Sequence, residues 1–198
     1  LCAPGEDLDD LWARLEQLSG YPARAELWEE AILPARLHRY DGALLESLMQ
    51  EGSLHWLGME PGKVAFCLAD DLALLGRPPA PADDLRDLLP DRHARYALPA
   101  LALKSGARLG DLVARLWAGV WAGVISNDSA AALRTGIQHK FQAPALPEVD
   151  ARRIGRRVPR SGFARWSGPA PFAGNWYRLD WPELDPADLL EDEERARD

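Results

Sequence analysis

The sequence predicts a mainly α-helical protein with short β-hairpins, organised as two similar units. Three amphipathic helix patterns between Leu8 and Met49 precede two short stretches of alternating polarity. Three helices followed by a hairpin are typical of the winged helix, a helix-turn-helix variant whose hairpin is the wing. A later helix, from Gly110 to Gly123, repeats the pattern of the helix from Gly42 to Gly52. The repeat predicts tandem winged-helix units.

The first unit can be followed element by element. Its first helix pattern ends at the Ser-Gly-Tyr-Pro sequence that begins with Ser19, and a second runs from about Glu26 to Leu33. Pro34 lacks an amide hydrogen and predicts a kink or a boundary there. The third helix has Asp41 as its N-cap and Gly52 as its stop. Alternating residues on both sides of the turn MEPG then predict a β-hairpin.

The second unit is expected between about Pro81 and Gln138. Its first helices are predicted at ADDLRDLL and RYALPALALKSG, and its core helix in LWAGVWAGVISNDSAAALR. Trp117 and Trp121 lie one turn apart in that helix, so this face must be buried. Gly123 is a C-terminal stop, and a short strand is expected to follow it. The candidate N-caps of the next helix are Asn127, Asp128 and Ser129.

The remainder of the chain has a different composition. Proline and arginine become frequent after Gln138 without helix or strand periodicity, which predicts a mobile arm or linker. An aromatic and proline-rich segment follows, for which we expect partial disorder. We therefore divide the chain into residues 1–80 (winged helix 1), 81–138 (degenerate winged helix 2), 139–165 (basic Pro/Arg-rich arm) and 166–198 (Trp/Pro-rich segment and the acidic start of a truncated helix).

Composition indicates a soluble globular protein, with 47% hydrophobic and 27% charged residues in a chain of 198. Cys2 and Cys67 are too few and too far apart for a disulfide framework, so we expect a reducing, cytoplasmic setting. The uncharged run from Leu116 to Ile125 is about half the roughly 20 residues that a membrane span needs. The chain begins Leu-Cys-Ala-Pro without a signal peptide pattern, and we expect it to be a piece of a longer polypeptide.

The formal net charge of −8 argues against a general polyanion binder, but the charge is unevenly distributed. The third helix carries acidic residues, Asp41, Glu46 and Glu51, and repels phosphate. The basic and aromatic side chains that could contact nucleic acid lie elsewhere. These candidates are Arg36, Arg39, Lys63, Arg152, Arg153, Arg156, Arg157, Arg160, Arg165 and Trp166. For the arm, the alternative interpretation is a solvated linker.

At LPARLHRYDGALLESLMQEGSLHWLG, LWAGVWAGVISNDSAAALR and GFARWS, the chain resembles the C-terminal extension of large bacterial Lhr-type ATP-dependent DNA helicases. The resemblance covers most of Glu26 to Ser167, and its blocks keep the family's order. It implies tandem winged helices like those of AlkZ-type DNA glycosylases, downstream of a motor that translocates on single-stranded DNA. The chain departs from the family pattern at Ile125, Ser126 and Ala164. It has no phosphate-binding glycine-rich loop, so ATP and Mg are expected for the parent motor and no cofactor for this chain.

Few residues indicate chemistry. The four histidines, His38, His55, His93 and His139, lack metal-ligand spacing, and no HExxH, GxSxG or CxxC motif occurs, so we expect no metal. Catalytic residues are unknown, and we do not expect the chain to be catalytic alone. A glycosylase would need a water-positioning carboxylate or amide beside an aromatic pocket. The residues that could supply these groups are Asn127, Asp128, Trp166, Trp176 and Tyr177.

Three functional hypotheses follow from this sequence. The first is a DNA-binding or strand-guiding accessory module of an Lhr-type helicase in DNA repair. Its expected partners are DNA, in single-stranded form, and the rest of the parent chain, with no membrane partner. The second is a winged-helix scaffold that mediates self-association or protein contacts through tryptophan-rich surfaces. The third is part of a DNA glycosylase unit.

Overall fold

The computed structural model describes residues 8–75, 85–143 and 173–181. The first part contains α1 (Leu8–Gln17), β1 (Ala23–Arg24), α2 (Ala25–Leu27), which continues as a π-helical turn (Trp28–Ile32), α3 (Gly42–Gln50), β2 (Leu54–Glu60), β3 (Lys63–Leu68) and a 3-10 helix (Ala69–Leu75). The later part contains β4 (Tyr96–Ala97), α4 (Leu98–Ser105), α5 (Leu109–Trp121), β5 (Ile125–Asn127), α6 (Ala130–Gln138) and β6 (Asn175–Arg178).

The predicted local signals of α3 are present in the structure. The Asp41 carboxylate accepts a hydrogen bond from the Ala43 amide at 2.9 Å, as an N-cap should. Gly52 has a φ of 81°, the left-handed conformation in which glycine ends a helix. Ser129 caps α6 in the same way as Asp41 caps α3, with Ala131 as donor at 3.1 Å. Of the three candidate caps of α6, Ser129 is therefore the one that is used.

Two small antiparallel sheets order the helices, and in each the last strand along the chain lies in the middle. The first sheet has the order β1-β3-β2, with Trp56 paired to Phe66 in the predicted hairpin. The second has the order β4-β6-β5. The helices of residues 8–75 with their hairpin have the order of a winged-helix domain. The division of the chain at residues 80, 138 and 165 stays a prediction.

Two elements of the second unit differ from their predictions. Residues 85–89, the described part of ADDLRDLL, form turns and a bend, and buried Leu85, Leu88 and Leu89 pack in the core from there. Tyr96 and Ala97, which we assigned to the next helix, form strand β4, and helix α4 starts at Leu98. A proline in the first turn of α4 favours this boundary, since proline is tolerated in the first turn of a helix but not in its interior.

One hydrophobic core joins the two halves of the described chain. Trp56 of β2 and Trp117 of α5 are both buried, and their ring centroids lie 5.8 Å apart. Ser126 of β5 donates a hydrogen bond from its hydroxyl to the Trp56 carbonyl at 2.6 Å. Gly58 of β2 packs so closely on α5 that a Cβ there would collide with the Val120 carbonyl. The sheets therefore lie in fixed positions relative to each other.

Candidate nucleic-acid interface

The turn that leads into α3 carries the first two predicted contacts. Arg36 is exposed, and one of its guanidinium nitrogens donates to the Ile32 carbonyl at 3.0 Å. Arg39 is also exposed. Both arginines lie exposed in the segment between the π-helical turn and α3. Both guanidinium groups can reach an external phosphate.

The hairpin turn carries the third predicted contact. Lys63 begins β3, and its ammonium group lies 2.9 Å from the Glu60 carboxylate. Both side chains are substantially exposed, so this ion pair stabilises the fold by at most about 1 kcal/mol. A phosphate could replace the Glu60 carboxylate at little cost, but Glu60 cancels most of the positive potential at the tip of the wing.

Helix α3, which would read bases in a standard helix-turn-helix, is partly covered by α6. The Glu46 carboxylate of α3 accepts a hydrogen bond from the Ala131 amide in the first turn of α6, at 3.1 Å. Arg134 of α6 donates to both oxygens of Glu29, at 2.7 and 2.9 Å, and to the Gly42 carbonyl. The acidic helix is therefore held by contacts within the protein, which leaves its flanks for any contact with DNA.

Tyr40 and Arg134 both hydrogen-bond to Glu29, and both have raised pKa values. Tyr40 donates its hydroxyl hydrogen to Glu29 at 2.7 Å, and burial together with that carboxylate raises the pKa of Tyr40 far above its usual value. Burial acts to lower the pKa of Arg134, but the hydrogen bonds to Glu29 and its charge outweigh burial and raise it. Tyr40 therefore stays neutral and Arg134 stays charged throughout the physiological pH range.

The other predicted contacts lie outside the described residues. They are Arg152, Arg153, Arg156, Arg157, Arg160, Arg165 and Trp166. Their role stays a prediction.

A cleft of about 270 Å³ near β6 carries basic residues that the sequence analysis did not select. Arg92 and Arg95 come from the segment before β4, Arg178 comes from β6, and His55 comes from β2. The compact DRHAR sequence at residues 91–95 was the available signal for the first two. Nothing local indicates that Arg178 joins them, because sheet pairing brings β6 to β5 from about 50 residues away along the chain.

His55 and Tyr177 form the buried wall of this cleft. The Tyr177 hydroxyl and His55 Nδ1 lie 2.6 Å apart and share a hydrogen bond. Burial, and then the charge of Arg95, lower the pKa of His55 to about 4, so the imidazole is neutral at neutral pH. Burial raises the pKa of Tyr177 to about 12. The wall is therefore uncharged, and the arginines set the electrostatics of the cleft.

Four of the five residues considered for glycosylase chemistry lie in the described part of the chain and make structural contacts there, whereas Trp166 lies outside it. The Asp128 carboxylate accepts hydrogen bonds from the Asn175 amide at 2.6 Å, from the Asn175 side chain at 3.0 Å and from Arg95 at 3.1 Å. Asn127 is fully buried, and its side-chain oxygen accepts from the Ser129 amide. Trp176 is buried on β6, the central strand of the second sheet, and its ring centroid lies 5.6 Å from that of Trp117. These contacts occupy the Asp128 carboxylate and the Asn127 side-chain oxygen, which are the acceptors that a water-positioning site would need.

Two further observations concern metal ions and membranes. In the part of the chain that the structure describes, His, Cys, Asp and Glu side chains form no group of three or more that could hold a metal ion. Among those same residues, none of the helices has the length and apolar character that membrane crossing requires.

Comparison with known proteins places this geometry in a family. Residues 3–69 match the family model described as the winged-helix domain of large helicase-related protein. The "Lhr helicase/uracil glycosylase" of Escherichia coli (strain K12) is 32% identical over 218 residues, an alignment that covers 95% of this chain and 14% of that protein. The "Lhr helicase/ probable uracil glycosylase" of Mycolicibacterium smegmatis (strain ATCC 700084 / mc(2)155) is 29% identical over 196 residues. That alignment covers 90% of this chain and 13% of that protein.

The chain thus spans about one seventh of the length of these relatives. The resemblance that the sequence motifs indicated is confirmed, with residues 3–69 matching the winged-helix domain of large helicase-related protein and most of the chain aligning with the two relatives.

Proposed function

We propose that this chain is a DNA-binding and strand-guiding accessory module of an Lhr-type ATP-dependent DNA helicase that acts in DNA repair. The observation that carries the proposal is the helix-turn-helix of the matched domain. Its turn exposes Arg36 and Arg39 next to α3, and α6 partly covers that helix. Guanidinium groups before a covered helix can hold phosphates but cannot reach base edges through that helix. Binding should therefore depend strongly on salt and little on sequence.

The second sheet supports a tandem arrangement. Its strand order, β4-β6-β5, repeats that of the first sheet, β1-β3-β2, and α4 and α5 precede β5 as α2 and α3 precede β2. We propose that the second unit is a winged helix in which α6 and the residues up to β6 stand between the two wing strands. Its helix α5 packs on β2 and is buried in the shared core, so this unit also stabilises the fold.

Motor activity is assigned to the parent protein. The relatives are named as helicases and this chain covers a small part of them, so we propose that ATP and Mg bind to the parent motor. This chain contains no phosphate-binding loop motif. The uracil glycosylase named in the relatives is not assigned to Asn127 or Asp128, because the Asn127 side-chain oxygen and the Asp128 carboxylate already accept hydrogen bonds within the protein. The proposed partners are single-stranded DNA and the remainder of the helicase chain.

Fluorescence anisotropy with labelled single-stranded and duplex oligonucleotides tests the proposal at low and moderate salt. The Arg36→Ala/Arg39→Ala variant should weaken binding to single-stranded DNA about tenfold or more at low salt and lower the salt slope by about 1.4. Arg14→Ala/Arg108→Ala removes the same charge from other surfaces and is the matched control. A four-residue arm variant at Arg152, Arg153, Arg156 and Arg157 tests the predicted arm in the same assay.

Absence of DNA binding at low salt would refute the proposal for this chain. The alternative, a scaffold for self-association, then predicts a molecular mass that rises with concentration in sedimentation experiments. The described surface gives that alternative little support, because Trp28, Trp56, Trp117 and Trp176 are buried in the core and the other described tryptophans are half-buried.

A further inference from the structure

The cleft beside β6 is electropositive in a chain whose net charge is −8. Its lining brings three arginines, Arg92, Arg95 and Arg178, against one carboxylate, Asp180, and a second carboxylate, Asp128, pairs with Arg95 from outside the lining, so positive charge still exceeds negative charge. His55 adds no charge at neutral pH, because burial keeps it deprotonated. The local charge is therefore opposite in sign to the average, and a low-dielectric wall on one side of such a cleft strengthens its attraction for anions.

The arginines differ in how firmly they are held. Arg92 lies 3.5 Å from Asp180, and both side chains are more than half exposed, so this ion pair is weak and can be exchanged. Arg95 stacks over the Tyr177 ring at 4.6 Å and contacts Asp128 at 3.1 Å, which fixes its guanidinium at the edge of the cleft. A guanidinium has five N–H donors, so Arg95 keeps donors for a further acceptor.

Arg178 is the third group and stands on the central strand of the second sheet. It is half-buried, and within residues 8–75, 85–143 and 173–181 no carboxylate lies within ion-pair distance of it. A partly desolvated guanidinium gains from an anionic partner, and the planar forks of arginine match the oxygens of a phosphate. Arg178 lines the same cleft as Arg92 and Arg95, so three guanidinium groups surround one opening.

We propose that the cleft of Arg92, Arg95 and Arg178 binds a phosphate group, carried by a DNA strand or by a free nucleotide. Binding of a DNA phosphate in this cleft rests on the proposed function, whereas binding of a free nucleotide does not. Arg95 positions the phosphate from the Tyr177 face, Arg178 binds it from the sheet, and Arg92 releases Asp180 to close over it. A DNA strand held there would touch the second sheet, a surface separate from the helix-turn-helix that carries Arg36 and Arg39.

Two titrations of the 198-residue chain test this site and separate it from the function proposed above. The first measures anisotropy of a labelled oligothymidine with Arg92→Ala/Arg178→Ala and with the matched control Arg14→Ala/Arg108→Ala. Loss of two phosphate contacts should weaken binding about tenfold or more at low salt and lower the salt slope by about 1.4, while the control stays close to the parent chain. Asp180→Asn should bind several-fold more tightly, a gain that misfolding cannot imitate.

The second titration follows backbone amide NMR signals of residues 92–95 and 175–180 with thymidine 5′-monophosphate. Shifts that disappear in Arg178→Ala, without DNA binding in the first assay, would identify a free nucleotide as the source of the phosphate and refute only the proposed function. DNA binding that is equal in the cleft variant and the control, with unchanged NMR signals, would overturn the phosphate site and leave the proposed function standing.

Discussion

His55 should make the stability of the protein depend on pH over a narrow range. The imidazole is half-buried on β2, where it contacts Tyr177 of β6, and its pKa of about 4 lies below the usual value of 6.5. Between these two values the unfolded chain binds a proton that the native protein does not. Falling pH therefore favours the unfolded chain, and the contribution of His55 is complete above the unfolded pKa and is lost towards pH 4.

The magnitude follows from those two pKa values. Proton linkage at a single site with pKa values of 6.5 and 4 lowers the free energy of unfolding by about 2 kcal/mol between pH 7 and pH 5. The whole difference of 2.5 pKa units corresponds to about 3 kcal/mol, reached near pH 4. The effect of His55 is best measured between pH 7 and pH 5, because carboxylates also titrate at lower pH.

Urea denaturation at pH 5, 6, 7 and 8 measures this effect. His55→Gln keeps a polar side chain but removes the titration, so its free energy of unfolding should fall by about 2 kcal/mol less than that of the parent chain between pH 7 and pH 5. His38→Gln changes an exposed histidine and should retain the parent's dependence. Equal losses in the parent and in His55→Gln would show that the imidazole is not held neutral by its site.

Three substitutions test the packing and the caps, each by urea denaturation at pH 7. Gly58→Ala places a methyl group against the backbone of α5 and should cost about 3 kcal/mol, whereas Gly110→Ala, which has open space, should be neutral or stabilising; similar effects of both would contradict the close approach of the two halves. Arg134→Met should cost about 2 kcal/mol because the partly buried Glu29 carboxylate loses its cationic partner and keeps only the Tyr40 hydroxyl, and an additive double variant with Glu29→Gln would disprove their coupling. Asp41→Ala should cost about 1 kcal/mol, and an unchanged stability would mean that the cap contributes nothing.

The parts of the fold that the sequence predicted are those with local causes. Asp41 and Gly52 bound α3 because a capping carboxylate and a left-handed glycine act within a few residues. The hairpin β2–β3 has alternation over two strands of six or seven residues and a tight turn, which gives a clear period of two. Trp117 is buried in α5 as its four-residue spacing with Trp121 required.

The parts that the sequence did not predict depend on distant pairing. Strand β4 has two residues and β6 has four, too short for a period, and each exists because the other is beside it in the sheet. The arginine cleft could not be assembled for the same reason, because Arg92, Arg178 and His55 come from three segments that only the sheets bring together. The basic residues that local composition selected, Arg36 and Arg39, are exposed as expected of a contact surface.

The acidic character of α3 has a structural explanation in the contact with α6. Glu46 accepts from the first turn of α6, where unpaired amides and the helix dipole favour a negative charge, and Glu29 holds Arg134 next to it. A basic side chain in place of Glu46 would improve attraction for phosphate, but the Ala131 amide would then keep only Ser129 as its side-chain acceptor. The helix that reads bases in other helix-turn-helix proteins is thus held here against α6, and the proposed contact with DNA is therefore assigned to Arg36 and Arg39 before it.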